Sequence, residues 1–323
     1  MTRSASTRGA EPMTQADHDI IVIGAGTAGL TAARVAAEAR ARVLVIERLS
    51  AGGQVSTIDR IVNFPGQDEI GGFELGPMLQ EDAEDAGAAL ALAEVTGLTR
   101  DGEFWRVATS EGDHTADAVI IACGSTRKPL GVPGEEAYTG RGVSHCASCD
   151  GGFFRNQTVV VAGGGDSALD EALVLAPVVG RVLLVHRGTG FDATQGQAER
   201  ITACDTIEVL WNTTVTAVLG DETGMTGVTL HNAAQGTEQT QSANGLFVYT
   251  GLQPNTAFLE GIADRDAAGR LMVTATLQTT APALYAAGDL RVGSIGMLSE
   301  AVTDGQRAAR SALDGLHQRK TAG

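Results

Sequence analysis

Aromatic residues and cations are both scarce in this chain. Aromatics make up 4% of its 323 residues, so its cores must be packed mainly from Ala, Val and Leu. Lysine and arginine number 23 against 39 acidic residues, a formal net charge of −16. That deficit argues against a nucleic-acid partner and against an anionic membrane surface, since both attract clustered cations. No apolar run approaches the ~20 residues that span a bilayer. The N-terminal stretch, 1–17, is polar and has no apolar signal core, which predicts a disordered tail and a cytoplasmic protein. Cysteine is scarce too, at four residues. In a reducing cytosol, two cysteines close together point to catalysis or metal binding rather than to a structural staple. Glycine is abundant, with 42 residues, and hydrophobic residues reach 43%. This chain can bury real cores and has many tight turns and close backbone approaches.

One short stretch holds the close cysteines: His145-Cys146-Ala147-Ser148-Cys149-Asp150-Gly151. A pair two residues apart can close a small disulfide and open it again, with reactivity set by the thiolate. Asp150 puts a carboxyl beside the second sulfur, suited to exchange a proton with a leaving thiolate. Half of a zinc site is the other reading, but it needs a second pair of ligands. Cys123 and Cys204 are unpaired, and neither His145 nor His186 completes a metal spacing. The redox reading therefore leads, with no metal expected.

Two further stretches carry a cofactor signal. A β-branched run at 19–23 leads into Gly24-Ala25-Gly26-Thr27-Ala28-Gly29, then a helical stretch at 30–39 and a second strand at 42–46 closed by Glu47. In this pattern Gly24 makes the tight turn, Gly26 lets the backbone approach a pyrophosphate, and Gly29 allows close helix packing. The helix N-terminus attracts the phosphates, and Glu47 is placed to bond a ribose hydroxyl. A second copy follows: a strand at 158–162, Gly163-Gly164-Gly165-Asp166-Ser167-Ala168, a helix from 169, and a strand at 181–185 that ends in His186-Arg187. Gly163, Gly165, Asp166, Ser167 and Ala168 repeat the turn, and two such units imply two nucleotides with electrons passing between them. Later strands are expected at 208–218, 227–230, 246–250 and 284–289, and a helix at 298–313. Breaks near Pro129 and at 251–255 bracket the second unit, so it is expected to be inserted into the first domain.

Taken together, these motifs resemble the low-molecular-weight thioredoxin reductases. The resemblance covers about 18–315 and rests on six motifs in order: Gly24 to Gly29 with Glu47, Gly52-Gly53-Gln54, Asn63-Phe64-Pro65-Gly66, Cys146 to Gly151, Gly163 to Ala168, and Ala286 to Asp289. It implies an α/β fold of two Rossmann-like dinucleotide-binding domains (three-layer ββα), the second inserted into the first. The implied division is an FAD-binding domain from 18–125 and 253–323, and an NAD(P)H-binding domain over 126–252 that carries the cysteine pair. FAD is implied in the first unit, with Gln54, Asn63, Gly288 and Asp289 as further contacts. The nicotinamide nucleotide falls to the second unit, where His186 and Arg187 end a strand. The resemblance assigns Cys149 the flavin side, Cys146 the attack on a partner disulfide, and Asp150 the acid–base work. It further implies a homodimer, a thioredoxin-like protein or small disulfide as partner, contact with that partner at Arg141, Phe153 and Phe154, and hinges at 125–131 and 251–255.

Two positions depart from the pattern. The family's NADPH signature is His-Arg-Arg with a third arginine four residues after the second; here the positions read His186, Arg187, Gly188 and Asp192. A preference for NADPH is therefore not expected. Near the last helix, Gly296-Met297 stand where the family carries Arg-Gln. The alternatives to a reductase are an oxygen-dependent dithiol oxidase and a non-catalytic flavin redox sensor. Related oxidases tend to carry His after the second cysteine, so Asp150 favours the reductase. Cys123 is expected to act as a small buried hydrophobe, and Cys204 is assigned no role.

Overall fold

A run such as Ile20-Ile21-Val22-Ile23 has no polar alternate, so a strand made from it must be covered on both faces. The computed structural model, which describes residues 15–322 apart from 59, 63 and 194, builds its first sheet on that run. The chain forms two compact units: one runs through Ser125 and resumes at Pro254, and the other is Thr126–Gln253.

In the first unit, His18–Ile23 pairs in parallel with Val43–Glu47 on one side and Gly112–Ile121 on the other. Ala89–Leu92 extends the sheet beyond Val43–Glu47, and Leu284–Ala286 pairs in parallel with the last residues of Gly112–Ile121. The first half of that long strand instead pairs antiparallel with Phe104–Thr109, which pairs in turn with Val95–Asp101. Helices Thr27–Glu38 and Leu298–Ala322 pack closely, because a Cβ on Gly305 would lie 2.3 Å from the Ala28 carbonyl oxygen. The expected tail ran too far into the chain: Ala16 is buried, and Asp17 Oδ2 accepts hydrogen bonds from the Thr115 amide and hydroxyl. The rest of that tail, 1–14, lies outside the described residues.

The second unit has a parallel sheet in the order Ile207–Leu210, Arg181–Val185, Thr158–Ala162, Gly245–Val248, Val143–Ser144. Alternate side chains of its strands serve opposite faces. Val159, Val161, Val182 and Leu184 meet Leu169, Ala172 and Leu175 of the helix Asp166–Leu175. Val160, Leu183 and Val185 meet Val215, Val218, Val228 and Leu230 of an antiparallel meander, Thr213–Asp221, Gly224–Asn232 and Thr237–Ser242. The layers are therefore meander, parallel sheet and helices. Ser125–Arg127 and Leu252–Pro254, where the chain passes between units, pair as a two-stranded ribbon.

Several expected boundaries move. The strand expected at 208–218 is two strands, because the chain turns at Asn212 (φ 53°), a residue that tolerates the left-handed region. The expected strand at 284–289 stops at Ala286, before a turn at Gly288 (φ 84°). Both helices after the glycine turns begin three residues early, at Thr27 and Asp166, and the last helix continues to Ala322. No helix among the described residues is long and apolar enough to cross a membrane.

Candidate active site

Cys146 and Cys149 form a closed disulfide with their Cα atoms 5.3 Å apart. Cys146 caps the four-residue helical turn Ala147–Asp150, and its Sγ accepts the Cys149 amide at 3.2 Å. A thiolate at Cys146 therefore has a backbone donor ready, which favours it as the nucleophile. Asp150 lies at the end of this turn, where its Oδ2 accepts from the Ser144 hydroxyl at 2.6 Å. Ser144 in turn accepts the Cys146 amide at 3.1 Å. A buried serine thus links the carboxyl to the backbone of the first cysteine, a part that no sequence signal indicated. On the other side, the Ala147 amide is shared between Glu171 Oε2 and the Tyr249 hydroxyl, each at 3.2 Å. Burial raises the Glu171 carboxyl above its ordinary range, and burial followed by the Glu171 charge raises the Tyr249 phenol. His145 does not approach a sulfur in any hydrogen bond; its Nδ1 meets the Val248 carbonyl at 3.2 Å.

The first glycine turn has the shape of a phosphate cradle. A Cβ on Gly24 (φ 105°) would lie 2.5 Å from the Ala122 oxygen, and one on Gly29 would lie 1.9 Å from the Gly24 oxygen. At Gly26 nothing lies within 4 Å of such a Cβ, so the backbone is open to a ligand there. Thr27 Oγ1, at the start of the helix, is buried without a hydrogen-bond partner among the described residues. Glu47 is anchored: Oε2 accepts the Ala25 amide at 2.8 Å, and Oε1 accepts those of Arg48 and Leu49. One lone pair of Oε2 remains for a ribose hydroxyl. Gln54 bonds the Ser125 carbonyl at 2.7 Å, and the Ser125 hydroxyl bonds the Asp289 carbonyl at 3.3 Å. The Asp289 carboxyl is half-buried, raised first by burial and then by Glu300 and Asp304. It accepts no hydrogen bond among the described residues, and a ligand hydroxyl would satisfy it. An open Gly26, an orphaned Thr27 hydroxyl and an unbonded Asp289 together fit FAD. Asn63 lies outside the described residues.

The loop that presents Gly288 and Asp289 is held by ions. Arg291, 9% exposed, pairs with both oxygens of Asp304 and with Glu300, while Asp304 Oδ2 also accepts the Gly288 amide at 3.0 Å. Removing Asp304 leaves the buried Arg291 with Glu300 alone and the Gly288 amide without its acceptor. Asp304→Ala is therefore expected to destabilise the fold by about 3–5 kcal/mol in urea unfolding, with Asp304→Asn less affected. A midpoint unchanged in both variants would show the network to be idle. Glu47→Ala is expected to weaken FAD retention by roughly 1–3 kcal/mol, read by titrating FAD back into the stripped protein.

The second turn fits a dinucleotide in shape but is poorly matched in charge. A Cβ on Gly163 would lie 2.4 Å from the Tyr249 oxygen and 2.7 Å from the Ala168 Cβ, so Ala168 takes the close-packing place. Gly165 is open, its nearest neighbour being the Asp192 oxygen at 3.7 Å. The Asp192 amide bonds the Gly164 carbonyl at 2.8 Å, which fixes that exposed aspartate beside the turn. Asp166 and Ser167 open the following helix and are exposed. His186 is buried over Gly164, edge-on to Trp211 at 5.9 Å and 6.2 Å from Phe191. Arg187 is exposed and makes no hydrogen bond or ion pair among the described residues.

The other residues singled out in the sequence lie in differing surroundings. Phe153 is 80% exposed, whereas Phe154 packs edge-on against the buried Phe247. Arg141 is exposed, donates to the Ala137 carbonyl at 2.8 Å and lies over the Tyr138 ring. Cys123 is half-buried against the first core rather than fully buried, and burial pushes its thiol up to about 12. Cys204 packs against the helix-side core of the second unit. Among the described residues no cluster of His, Cys, Asp or Glu could hold a metal ion.

The profile of a family described as pyridine nucleotide-disulphide oxidoreductase matches residues 18–305. The thioredoxin reductase of Treponema pallidum (strain Nichols) is 40% identical over 299 residues, which cover 92% of this chain and 97% of that one. Among solved structures, Lactococcus lactis thioredoxin reductase (FR conformation) has a TM-score of 0.87 at 34% identity, covering 94% of this chain and 100% of that one. The T. acidophilum thioredoxin reductase has a TM-score of 0.82 at 31% identity, covering 93% and 99%.

Proposed function

The chain belongs to the pyridine nucleotide-disulphide oxidoreductase family and, within it, to the low-molecular-weight thioredoxin reductases, and from that premise we propose that it reduces the disulfide of a thioredoxin-like protein. The observation that carries this reading is the Cys146–Cys149 disulfide, with Ser144 holding Asp150 at the same turn. Bound FAD would supply the two-electron relay between a nicotinamide nucleotide and that disulfide. Gly24, Gly26, Gly29, Thr27, Glu47, Gln54 and Asp289 are the residues proposed to hold it. Gly163, Gly165, Asp166, Ser167, Ala168, His186 and Arg187 are proposed to receive the nicotinamide nucleotide.

In the proposed exchange, the Cys146 thiolate attacks one sulfur of the partner's disulfide and forms a mixed disulfide, releasing a partner thiolate. Cys149 then attacks the Cys146 sulfur, restores the Cys146–Cys149 bond and releases the second partner thiolate. Asp150 moves the protons, giving one to a departing thiolate and taking one from the attacking thiol. The Ser144 hydroxyl keeps its carboxylate at the turn throughout. Phe153, exposed beside the pair, is proposed to contact the partner.

We further infer a cytoplasmic homodimer. Leu49, Phe73 and Ile295 of the first unit, 70%, 82% and 71% exposed, support self-association there as apolar surface that a second copy could cover. The function is tested by coupled turnover: the FAD-loaded protein, a nicotinamide nucleotide and oxidised thioredoxin, with free thiols counted over time. Steady thiol release is the expected result. Flavin bleaching only by small dithiols, with oxygen consumed and no thioredoxin reduced, would instead mark an oxidase.

A further inference from the structure

We propose that Glu171, braced by Tyr249, is a positioning residue of the redox centre: it captures the first N–H of the Cys-x-x-Cys turn and sets how readily Cys146 becomes a thiolate. The proposal rests on the reading that Cys146–Cys149 opens and closes.

A side chain that caps a helical turn accepts from the second or third amide of that turn. In this turn the Cys149 amide already points at Cys146 Sγ, at 3.2 Å. The Ala147 amide, the first of the turn, is held by Glu171 Oε2 and the Tyr249 hydroxyl. The same contact brings a carboxylate within one residue of the sulfur's own backbone, and a nearby like charge opposes ionisation. That charge holds the Cys146 thiolate back.

The surrounding groups leave this carboxylate in control. Arg127 lies over the Tyr249 ring, 5.5 Å from its centroid, and its charge also favours the ionised Glu171. Asp170, the preceding residue on the helix, accepts from Gln197 at 2.6 Å. Asp150, at the far end of the turn, is held by Ser144, and His145 is turned to the Val248 carbonyl. Of these charged groups, Glu171 alone bonds the amide next to Cys146. Its half-buried site makes it titrate above an ordinary carboxyl, burial being the first cause. Its influence on Cys146 therefore fades as the pH falls and the carboxyl is protonated.

Glu171→Gln separates charge from shape, since the amide oxygen can still accept the Ala147 N–H. Wild-type and variant holoproteins are equilibrated in dithiothreitol redox buffers, and free thiols are counted by mass after alkylation. In that equilibrium dithiothreitol closes to its cyclic disulfide while Cys146–Cys149 opens to two thiols. Above neutrality, the variant is expected to be about tenfold easier to reduce, equivalent to about 30 mV. The alkylation rate of its reduced Cys146 should reach half-maximum about one pH unit lower than in the wild type. In acid the two proteins should converge, because Glu171 is then neutral in the wild type. The Tyr249 hydroxyl also bonds the Glu171 carboxylate and favours its charged form, so Tyr249→Phe should move that convergence to higher pH. An unchanged midpoint and an unchanged alkylation profile in Glu171→Gln overturn the proposal. A wild-type pair that dithiothreitol cannot open overturns the cycling reading, and this proposal with it.

Discussion

Cys149→Ser is expected to bring thioredoxin turnover down to background, while a nicotinamide nucleotide still bleaches the bound flavin. The reasoning follows the sulfur chemistry of the second unit. A partner disulfide needs two electrons, and one thiol can open it only as far as a mixed disulfide. Cys146 keeps its place in Cys149→Ser, and the amide of residue 149 can still donate to its sulfur. This variant should therefore attack once and stop, so a covalent adduct with the partner should accumulate and be visible by mass. Cys146→Ser should also stop turnover, but without the adduct, because the sulfur that caps the turn is gone. If the adduct instead forms with Cys146→Ser, the two cysteines exchange roles; full turnover in either variant would exclude the dithiol route. Asp150→Asn should slow exchange without changing nucleotide affinity, because its carboxylate bonds to Ser144 at the cysteine turn.

Parts of this site that lie close in sequence were legible in the sequence itself. The two glycine turns announce themselves because Gly24 and Gly163 sit at φ 105° and 155°, against backbone that excludes a side chain. The parallel strands are equally plain, since both of their faces are covered and their residues are apolar in unbroken runs. The meander over 213–242 was only partly visible. One of its faces is solvated, and Thr, Gln and Glu along 237–242 carry little apolar signal. The helix Gly72–Asp85 was missed as well, because it contains Gly76 and Pro77, both poor helix formers. The most consequential omissions were tertiary. Glu171 and Tyr249 stand 24 and 102 residues from the amide they share, and Asp304 stands 13 residues from Arg291. No periodicity or spacing rule joins such pairs. Ser144 is two residues from Cys146, yet a serine before a histidine carries no chemical signature until its hydroxyl is seen on Asp150.

NADPH is expected to hold no advantage over NADH as the reductant. The two differ by a 2′-phosphate, which needs cations at the end of Arg181–Val185. Arg187 is there and exposed, but Gly188 offers no side chain. Asp192 is fixed by its own amide to the Gly164 carbonyl, so it stays beside the turn that a dinucleotide would enter. A hydrogen bond to a charged group is worth about 1.5–3 kcal/mol. The absence of two such bonds to the phosphate costs roughly 3–6 kcal/mol, or about two to four decades of affinity. Solvent screening over a Debye length of about 8 Å makes the real cost smaller. The measurement is kcat/KM for each nucleotide with the same acceptor, and a strong wild-type preference for NADPH would refute this reading of Gly188 and Asp192. If both nucleotides prove poor, the electrons must come from another donor. The reverse substitutions test the same point. Asp192→Arg replaces an exposed anion with a cation and should by itself move preference toward NADPH. Gly188→Arg is harder to accommodate, because its Cβ would lie 2.7 Å from Nε2 of the buried His186. That ring is packed against Trp211 and Phe191, so it can yield only by disturbing the cluster. The double variant should therefore gain less than two added cations imply. The flavin spectrum should be unchanged in all three variants, since none of these residues belongs to the first unit.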